Sequence, residues 1–292
     1  MFDFNYKKPK VVAEIGCNHM GNMDIAKELI DLAKQSGVEY VKFQKRNNRE
    51  LLTEEQYSTP HPVPGNSYGN TYGEHREFLE FDVEQNKELK EYCDALGIVY
   101  STSVWDVTSA KEMVTFEPEF LKAPSACNNN FNMLKILRDE YQGQVQLSVG
   151  MTTKNEIEEI VSFFEETNQA KNRLLIYSCT SGYPVPAKDV ALLEINWLYN
   201  NYGDRVSEIG FSGHHLGINL DVAAYTLGAR WIERHFTKDK AWKGTDHGAS
   251  LNASELSNLV MSLDEVHESL HYKDSDILTI EQVQRDKLKN RK

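Results

Sequence analysis

The chain has no surplus of positive charge, no cysteine framework and no long apolar run, and each absence removes a class of function. Its 292 residues carry a net charge of −12. Binding along a phosphate backbone needs a basic face, so nucleic acid is not an expected partner. A few lysines in a cleft could still hold a small anion inside an acidic protein. No stretch approaches the roughly 20 apolar residues of a membrane span. The opening M-F-D-F-N-Y-K-K contains no apolar segment resembling a signal peptide. The four cysteines (Cys17, Cys93, Cys127 and Cys179) show neither a C-x-x-C pair nor ligand spacing. A reduced, cytoplasmic setting is therefore expected. A G-x-G-x-x-G fingerprint is also missing, because E-I-G-C-N-H follows the first apolar strand instead.

What is present is a regular alternation of short β-rich runs with amphipathic helical runs. Strands are predicted at Val11–Ile15, Tyr40–Phe43, Ile98–Thr102, Phe120–Lys122, Val145–Ser148, Leu174–Ser178, Glu208–Ser212 and Trp231–His235. Helices are predicted at Met23–Gln35, Asp82–Leu96, Lys154–Glu166, Gly217–Leu227 and Ser254–Leu270, each with apolar positions gathered on one face. Gly37 and Gly97 follow helices and precede strands, where a left-handed residue ends a helix well. Eight such units suit an α/β fold of the (β/α)8 barrel type, spanning residues 1–273, better than an open sheet. Residues 274–292, ending in K-L-K-N-R-K, read as a polar terminal helix or tail. Between Lys45 and about Phe81 lies an insertion rich in Pro, Gly, Asn and Tyr. Insertions this long in compact domains are usually functional or disordered. Two readings stay open: a lid carrying Tyr68, Tyr72, His75 or Arg76, or an excursion packed on a neighbouring subunit.

In such barrels chemistry sits where the strands end. Those ends supply Glu14 with Asn18 and His19, Lys42 with Gln44, Thr102, Lys122 with Ser125, Ser148, Thr180 with Ser181, Ser212 with His214 and His215, and His235. Lys42 and Lys122 lie within apolar strands, where a lysine is seldom buried without an anion or a carboxylate. An ion pair with Glu14 would account for one of them. Together with Ser125, Ser148 and Ser212 they would suit a phosphate or carboxylate. Histidines ending strands 7 and 8 could share a divalent ion, with Glu14 and Asp246 nearby and coordination positions left open. Adjacent residues of an extended chain point to opposite sides, so His214 and His215 cannot readily serve one ion. His61, His267 and His271 read as solvent-facing.

The motifs V-V-A-E-I-G-C-N-H-M-G-N, Y-V-K-F-Q, L-K-A-P-S-A-C-N-N, S-V-G-M, C-T-S-G-Y-P-V-P, F-S-G-H-H, W-I-E-R-H-F-T and G-T-D-H-G-A-S-L resemble, in order and spacing, those of the sialic acid synthase family. The resemblance covers essentially the whole chain. It implies a barrel that condenses phosphoenolpyruvate with an N-acylated aldose to a nonulosonic acid and releases phosphate. It also implies a divalent ion, manganese first with magnesium or cobalt as alternatives, and a homodimer or higher homo-oligomer. By the same resemblance the metal ligands fall on His214 and His235. Lys42, Lys122, Ser148 and Ser212, with Thr102 and Ser125, fall where phosphoenolpyruvate is held. Glu14 and Asp246 match acidic residues near the metal and the reacting sugar, and Gln44, Ser181 and Tyr183 match the acceptor side.

Two departures concern the acceptor. Relatives usually continue into a small antifreeze-like domain whose arginine reaches the partner's site, and 292 residues leave no room for it. Cys127 stands where many relatives carry an acidic residue that contacts the acceptor. The expectation is a retained condensation with altered acceptor recognition. Two alternatives are a non-catalytic or regulatory sugar- or phosphate-binding barrel, and another metal-dependent barrel isomerase or aldolase.

Overall fold

Strand and helix alternate so strictly that the sheet closes on itself. The computed structural model describes residues 6–289. Its strands are β1 (Lys10–Gly16), β2 (Tyr40–Lys45), β3 (Val99–Val104), β4 (Phe120–Ala123), β5 (Gln144–Ser148), β6 (Leu174–Cys179), β7 (Glu208–Gly213) and β8 (Trp231–His235). They pair in parallel in sequence order and β8 returns to β1, closing the barrel. Helices form the outer layer. The first, Met23–Gln35, is capped by the Asn22 side chain and buries Ala26, Leu29, Ile30 and Ala33 against the sheet. Asp82 caps Val83–Leu96, which ends on left-handed Gly97 as its sequence suggests.

The strand period of two sorts side chains between the helical layer and the barrel interior. At the amino-terminal end the interior is plugged by Val12, Tyr40, Phe120, Leu175, Tyr177 and Trp231, all buried. Above this apolar floor the same alternation brings polar residues inward, so the barrel is closed below and chemically equipped above.

The insertion after β2 is ordered. It contains helices Asn48–Leu51, Glu54–Ser58 and Tyr72–Phe78 and a short 3-10 turn at Pro64–Asn66. It folds back over its own barrel: the Tyr68 hydroxyl donates to the Lys243 carbonyl at 2.5 Å, and the Tyr68 and Phe78 rings stack at 4.8 Å. Glycine at position 73 is required by a close approach, because a Cβ there would lie 2.3 Å from the Tyr57 ring. Beyond residue 273 the chain forms the helix Thr279–Leu288, and the final Asn290–Lys292 of the predicted polar tail lie outside the described residues.

Candidate active site

A cavity of about 370 Å³ opens at the carboxyl ends of the strands. Of the residues expected at the site, Glu14, Lys42, Gln44, Lys122, Ser125, Ser148, Ser181, Tyr183, Ser212, His214 and His235 line it. Thr102 does not. β3 runs to Val104, two residues beyond its predicted end, and alternation places Ser101 and Ser103 inside and Thr102 outside. Ser103 takes the expected place on the cavity wall. Asp246 belongs to an adjoining chamber, with its Oδ2 3.9 Å from His235 Nδ1.

Four buried charges lie deep in the cavity. Lys42 is ion-paired with Glu14, donates to Ser103 Oγ at 2.7 Å, and lies 3.8 Å from Glu233 Oε2. Lys122 donates to Glu233 Oε1 at 2.5 Å, and Ser212 Oγ donates to the same oxygen at 3.2 Å. The Glu14 pairing is thus the one taken up by Lys42. Glu233 is absent from the sequence-based list, yet it is the counter-ion of Lys122. Two desolvated ammonium groups need such partners, since an unpaired buried charge is far more costly than a paired one. Burial alone would raise the Glu233 carboxyl, but the Lys122 and Lys42 ammonium groups outweigh it and hold the pKa down at about 2. Burial pulls Lys122 below its ordinary value even with Glu233 against it, and the 2.5 Å contact is that of an ionised pair.

The site's motifs contain glycines for steric reasons. Gly16 has φ of +55°, and a Cβ there would lie 2.9 Å from Gln44 Nε2, which donates to Glu14 Oε1 at 2.6 Å. At Gly150 a Cβ would lie 2.6 Å from Ser181 Oγ and 2.9 Å from Ser125 Oγ. A side chain at either position would close the space that the polar groups surround.

His214 and His235 face each other above the charges, with ring centroids 5.4 Å apart and the Tyr183 ring 4.4 Å from His214. His214 Nδ1 lies 3.0 Å from the Thr180 carbonyl, so Nδ1 carries the proton and Nε2 keeps its lone pair. Burial, then the neighbouring His235, lower the His214 pKa to about 3. The buried Nδ1 of His235 and the buried Oγ of Ser148 have no hydrogen-bond partner within the protein. Both face the cavity, so either is available to a bound molecule. No group of three or more His, Cys, Asp or Glu among the described residues forms a closed metal cage. Two imidazoles, that of His214 kept neutral by burial, fit an ion whose other positions are filled by water or substrate.

His215 points the opposite way. Its Nε2 lies 3.2 Å from Arg234 Nη1 and 3.3 Å from Asp221 Oδ2, in a fully buried cluster beneath the helix Asn219–Thr226. Asn18 and His19 are also structural: Asn18 donates to the Phe236 carbonyl and Ser250 Oγ, and His19 stacks on Phe81 at 3.9 Å.

The adjoining chamber, of about 200 Å³, is lined by Cys17, Arg46, His61, Tyr72, His75, Arg76, Thr245 and Asp246, and it shares Gln44, Trp105, Tyr183 and His235 with the first. Much of its wall comes from the insertion, including Tyr72, His75 and Arg76 of the expected lid. His61 is not solvent-facing as predicted. It is buried against the His75 ring at 4.5 Å, a contact that depends on how the insertion folds back. His267 is half-buried, its Nδ1 2.7 Å from the Tyr225 hydroxyl, whereas His271 is exposed. Cys127 lines neither cavity. Its thiol approaches the Val104 and Pro124 carbonyls, and burial raises its pKa well above the ordinary thiol value.

The chain has counterparts among known proteins. The sequence pattern of the NeuB family matches residues 29–275. The chain is 36% identical to the human N-acetylneuraminate-9-phosphate synthase, over 95% of this chain and 76% of that protein. It is 29% identical to the N,N'-diacetyllegionaminic acid synthase of Campylobacter jejuni, over 90% of this chain and 78% of that protein. The solved N-acetylneuraminic acid synthetase of Leptospira borgpetersenii superposes with a TM-score of 0.80 at 26% identity, covering 98% of this chain and 94% of that one. A truncated 3-deoxy-D-arabino-heptulosonate 7-phosphate synthase from Thermotoga maritima, at 14% identity and a TM-score of 0.64, shares the fold. With the barrel, the motif-bearing cavity and these relatives in agreement, the chain belongs to the NeuB family and is a carbon–carbon bond-forming synthase of the sialic acid synthase type.

Proposed function

We propose that the protein condenses phosphoenolpyruvate with the open-chain form of an N-acylated aldose, giving a 3-deoxy-2-keto nonulosonic acid and phosphate. One observation carries the reading. A single cavity is lined by His214 and His235 together with two lysines and five serines, a combination that supports a metal position beside an anion position. His214 and His235 would hold a divalent ion, manganese by preference, and such an ion, when bound, polarises an aldehyde oxygen.

The chain's own groups do the rest. Lys122, with Ser125, Ser148 and Ser212, receives the phosphate and carboxylate of phosphoenolpyruvate. Ser148 Oγ, unpartnered within the protein, is free to donate. Charge-assisted bonds of this kind hold a developing oxyanion, each contributing about 3–4 kcal/mol where well placed. Glu233 stays ionised and keeps Lys122 and Lys42 oriented. Glu14, bound to Lys42 and Gln44, is positioned to move a proton to or from a water at the reacting carbon. The overall reaction consumes one water: C3 of phosphoenolpyruvate bonds to the aldehyde carbon, water oxygen enters at C2, and the C2–O bond to phosphate breaks.

Incubation with phosphoenolpyruvate, Mn²⁺ and a panel of N-acyl hexoses, neutral and charged, tests this reading. Stoichiometric phosphate and 3-deoxy-2-keto acid are the expected products. Absence of both across the panel would overturn it.

A further inference from the structure

The second chamber carries a charge pattern that the condensation itself does not need. Arg46 is 6% exposed and stacks on Trp105 at 4.1 Å from the ring centroid. Its Nη1 donates to Cys17 Sγ at 3.2 Å, its Nη2 donates to Gln44 Oε1, and its buried Nε has no partner. Arg76 lines the same chamber and is held through Nε and Nη2 on the Tyr72 hydroxyl oxygen, at 3.0 and 2.6 Å.

Neither guanidinium has a carboxylate within 4.0 Å among the described residues. Glu80, the carboxylate beside the Arg46 backbone, is paired with Lys45 at 3.1 Å, and Asp246 on the chamber wall lies toward His235. In a chain with a net charge of −12, two arginines with no carboxylate within 4.0 Å line one cavity. Glu80 and Asp246 act on Arg46 from further off and favour its cation, while its buried Nε has no hydrogen-bond partner, a place that a ligand oxyanion would fill.

The neighbouring groups are donors as well. His61 Nδ1 accepts from the Val63 amide at 3.0 Å, and His75 Nδ1 accepts from the Tyr68 amide at 3.2 Å. Each neutral ring therefore carries its proton on Nε2. The Tyr72 oxygen accepts from Arg76, which leaves its own proton free to donate. The local potential is positive too: burial, then His61, Arg76, Lys243 and Arg46, depress the His75 pKa to about 4.

We infer that this chamber is an anion subsite for the acceptor, in which Arg46 and Arg76 bind a terminal oxyanion, phosphate ester or carboxylate, at the end of the aldose remote from its aldehyde. The inference rests on the proposed condensation and narrows its acceptor to an anionic N-acylated aldose. Guanidinium pairs suit either oxyanion, because both present two oxygens to a planar fork. Arg46 and Arg76 thereby become specificity-determining residues.

The test compares matched acceptors with the full chain, Mn²⁺ and phosphoenolpyruvate: 2-acetamido-2-deoxyhexoses of manno, gluco and galacto configuration, their 6-phosphates, and the corresponding uronates. One anionic series should exceed its neutral parent in kcat/KM by about 30-fold or more, the range seen when a buried charge pair is completed. Whether the phosphate or the uronate series wins identifies the oxyanion. Arg46→Met and Arg76→Met should each lower the ratio of anionic to neutral kcat/KM by about 10-fold or more, with Arg46→Lys recovering part of it. Calorimetric titration of the 6-phosphates and uronates into metal-free protein gives a readout independent of turnover, and the same variants should weaken that binding. Turnover of neutral sugars equal to or above that of their anionic counterparts overturns the subsite and leaves the condensation standing. Binding of an anionic sugar that depends on Arg46, without turnover of any acceptor, supports the subsite and overturns the condensation. Neither turnover nor binding overturns both.

Discussion

The two chambers share four wall residues and treat charge in opposite ways. In the first, Lys42 and Lys122 are each met by a glutamate, and the four groups cancel. In the second, Arg46 and Arg76 have no carboxylate within 4.0 Å, and Asp246 acts on them only from further off. Lysine within a barrel strand is fixed by neighbouring strands, so its counter-ion can be built into the next strand, as Glu14 is for Lys42, or across the barrel, as Glu233 on β8 is for Lys122. The arginines sit on or beside the insertion, outside the strand ladder, where no register supplies a partner. Compensation in one chamber and its absence in the other distinguish a site preassembled before ligand arrives from one that the ligand completes.

The largest expected effect comes from removing compensation where it exists. Glu233→Ala should strand Lys122, while Lys42 keeps Glu14, and cost about 3–5 kcal/mol of stability, read as a lower urea midpoint. An unchanged midpoint would mean that the first chamber's charges are held by something other than pairing. Next in size, His214→Ala and His235→Ala should each weaken Mn²⁺ binding by more than about 100-fold, beyond the loss expected for an outer hydrogen-bond partner. His215→Ala should retain the ion while lowering stability by about 1–2 kcal/mol through its buried contacts with Arg234 and Asp221. Equal metal loss in all three variants, followed by calorimetry, would erase the distinction between the adjacent histidines. A smaller effect is expected in the second chamber. Arg46→Met breaks no ion pair within 4.0 Å and should cost about 1 kcal/mol, chiefly its stacking on Trp105. A fall in midpoint as large as that of Glu233→Ala would put Arg46 among the structural residues. The smallest effect tests register: Ser103→Ala should raise the KM for phosphoenolpyruvate a few-fold, about the worth of one hydrogen bond to Lys42. Thr102→Val should leave that KM unchanged.

The barrel was legible because its strands are short apolar runs and helices such as Met23–Gln35 and Val83–Leu96 carry their own caps. All eight predicted strands form, and helix limits such as Met23–Gln35 agree with those observed. Most residues lining the first cavity were legible because a polar group ending an apolar strand is conspicuous. Thr102 fails by one position because β3 continues beyond its apolar run, and a single step exchanges inside for outside. Glu233 carried a signal that went unread: it precedes His235 by two residues and so shares its face. Arg46, His61 and the second chamber carried none. Their surroundings arise from the folding back of the insertion onto the mouth, a contact between segments far apart in sequence.

That insertion has a consequence for how the protein could be altered. It leaves the barrel after β2 and returns before the helix Val83–Leu96, supplying His61, Tyr72, His75 and Arg76 to one chamber and no strand to the sheet. The segment is in effect a cassette: one continuous stretch of chain walls much of the second chamber, while the eight-stranded frame, its apolar floor and its paired charges are built without it. A change confined to that stretch would reshape the second chamber and leave the charges of the barrel interior paired.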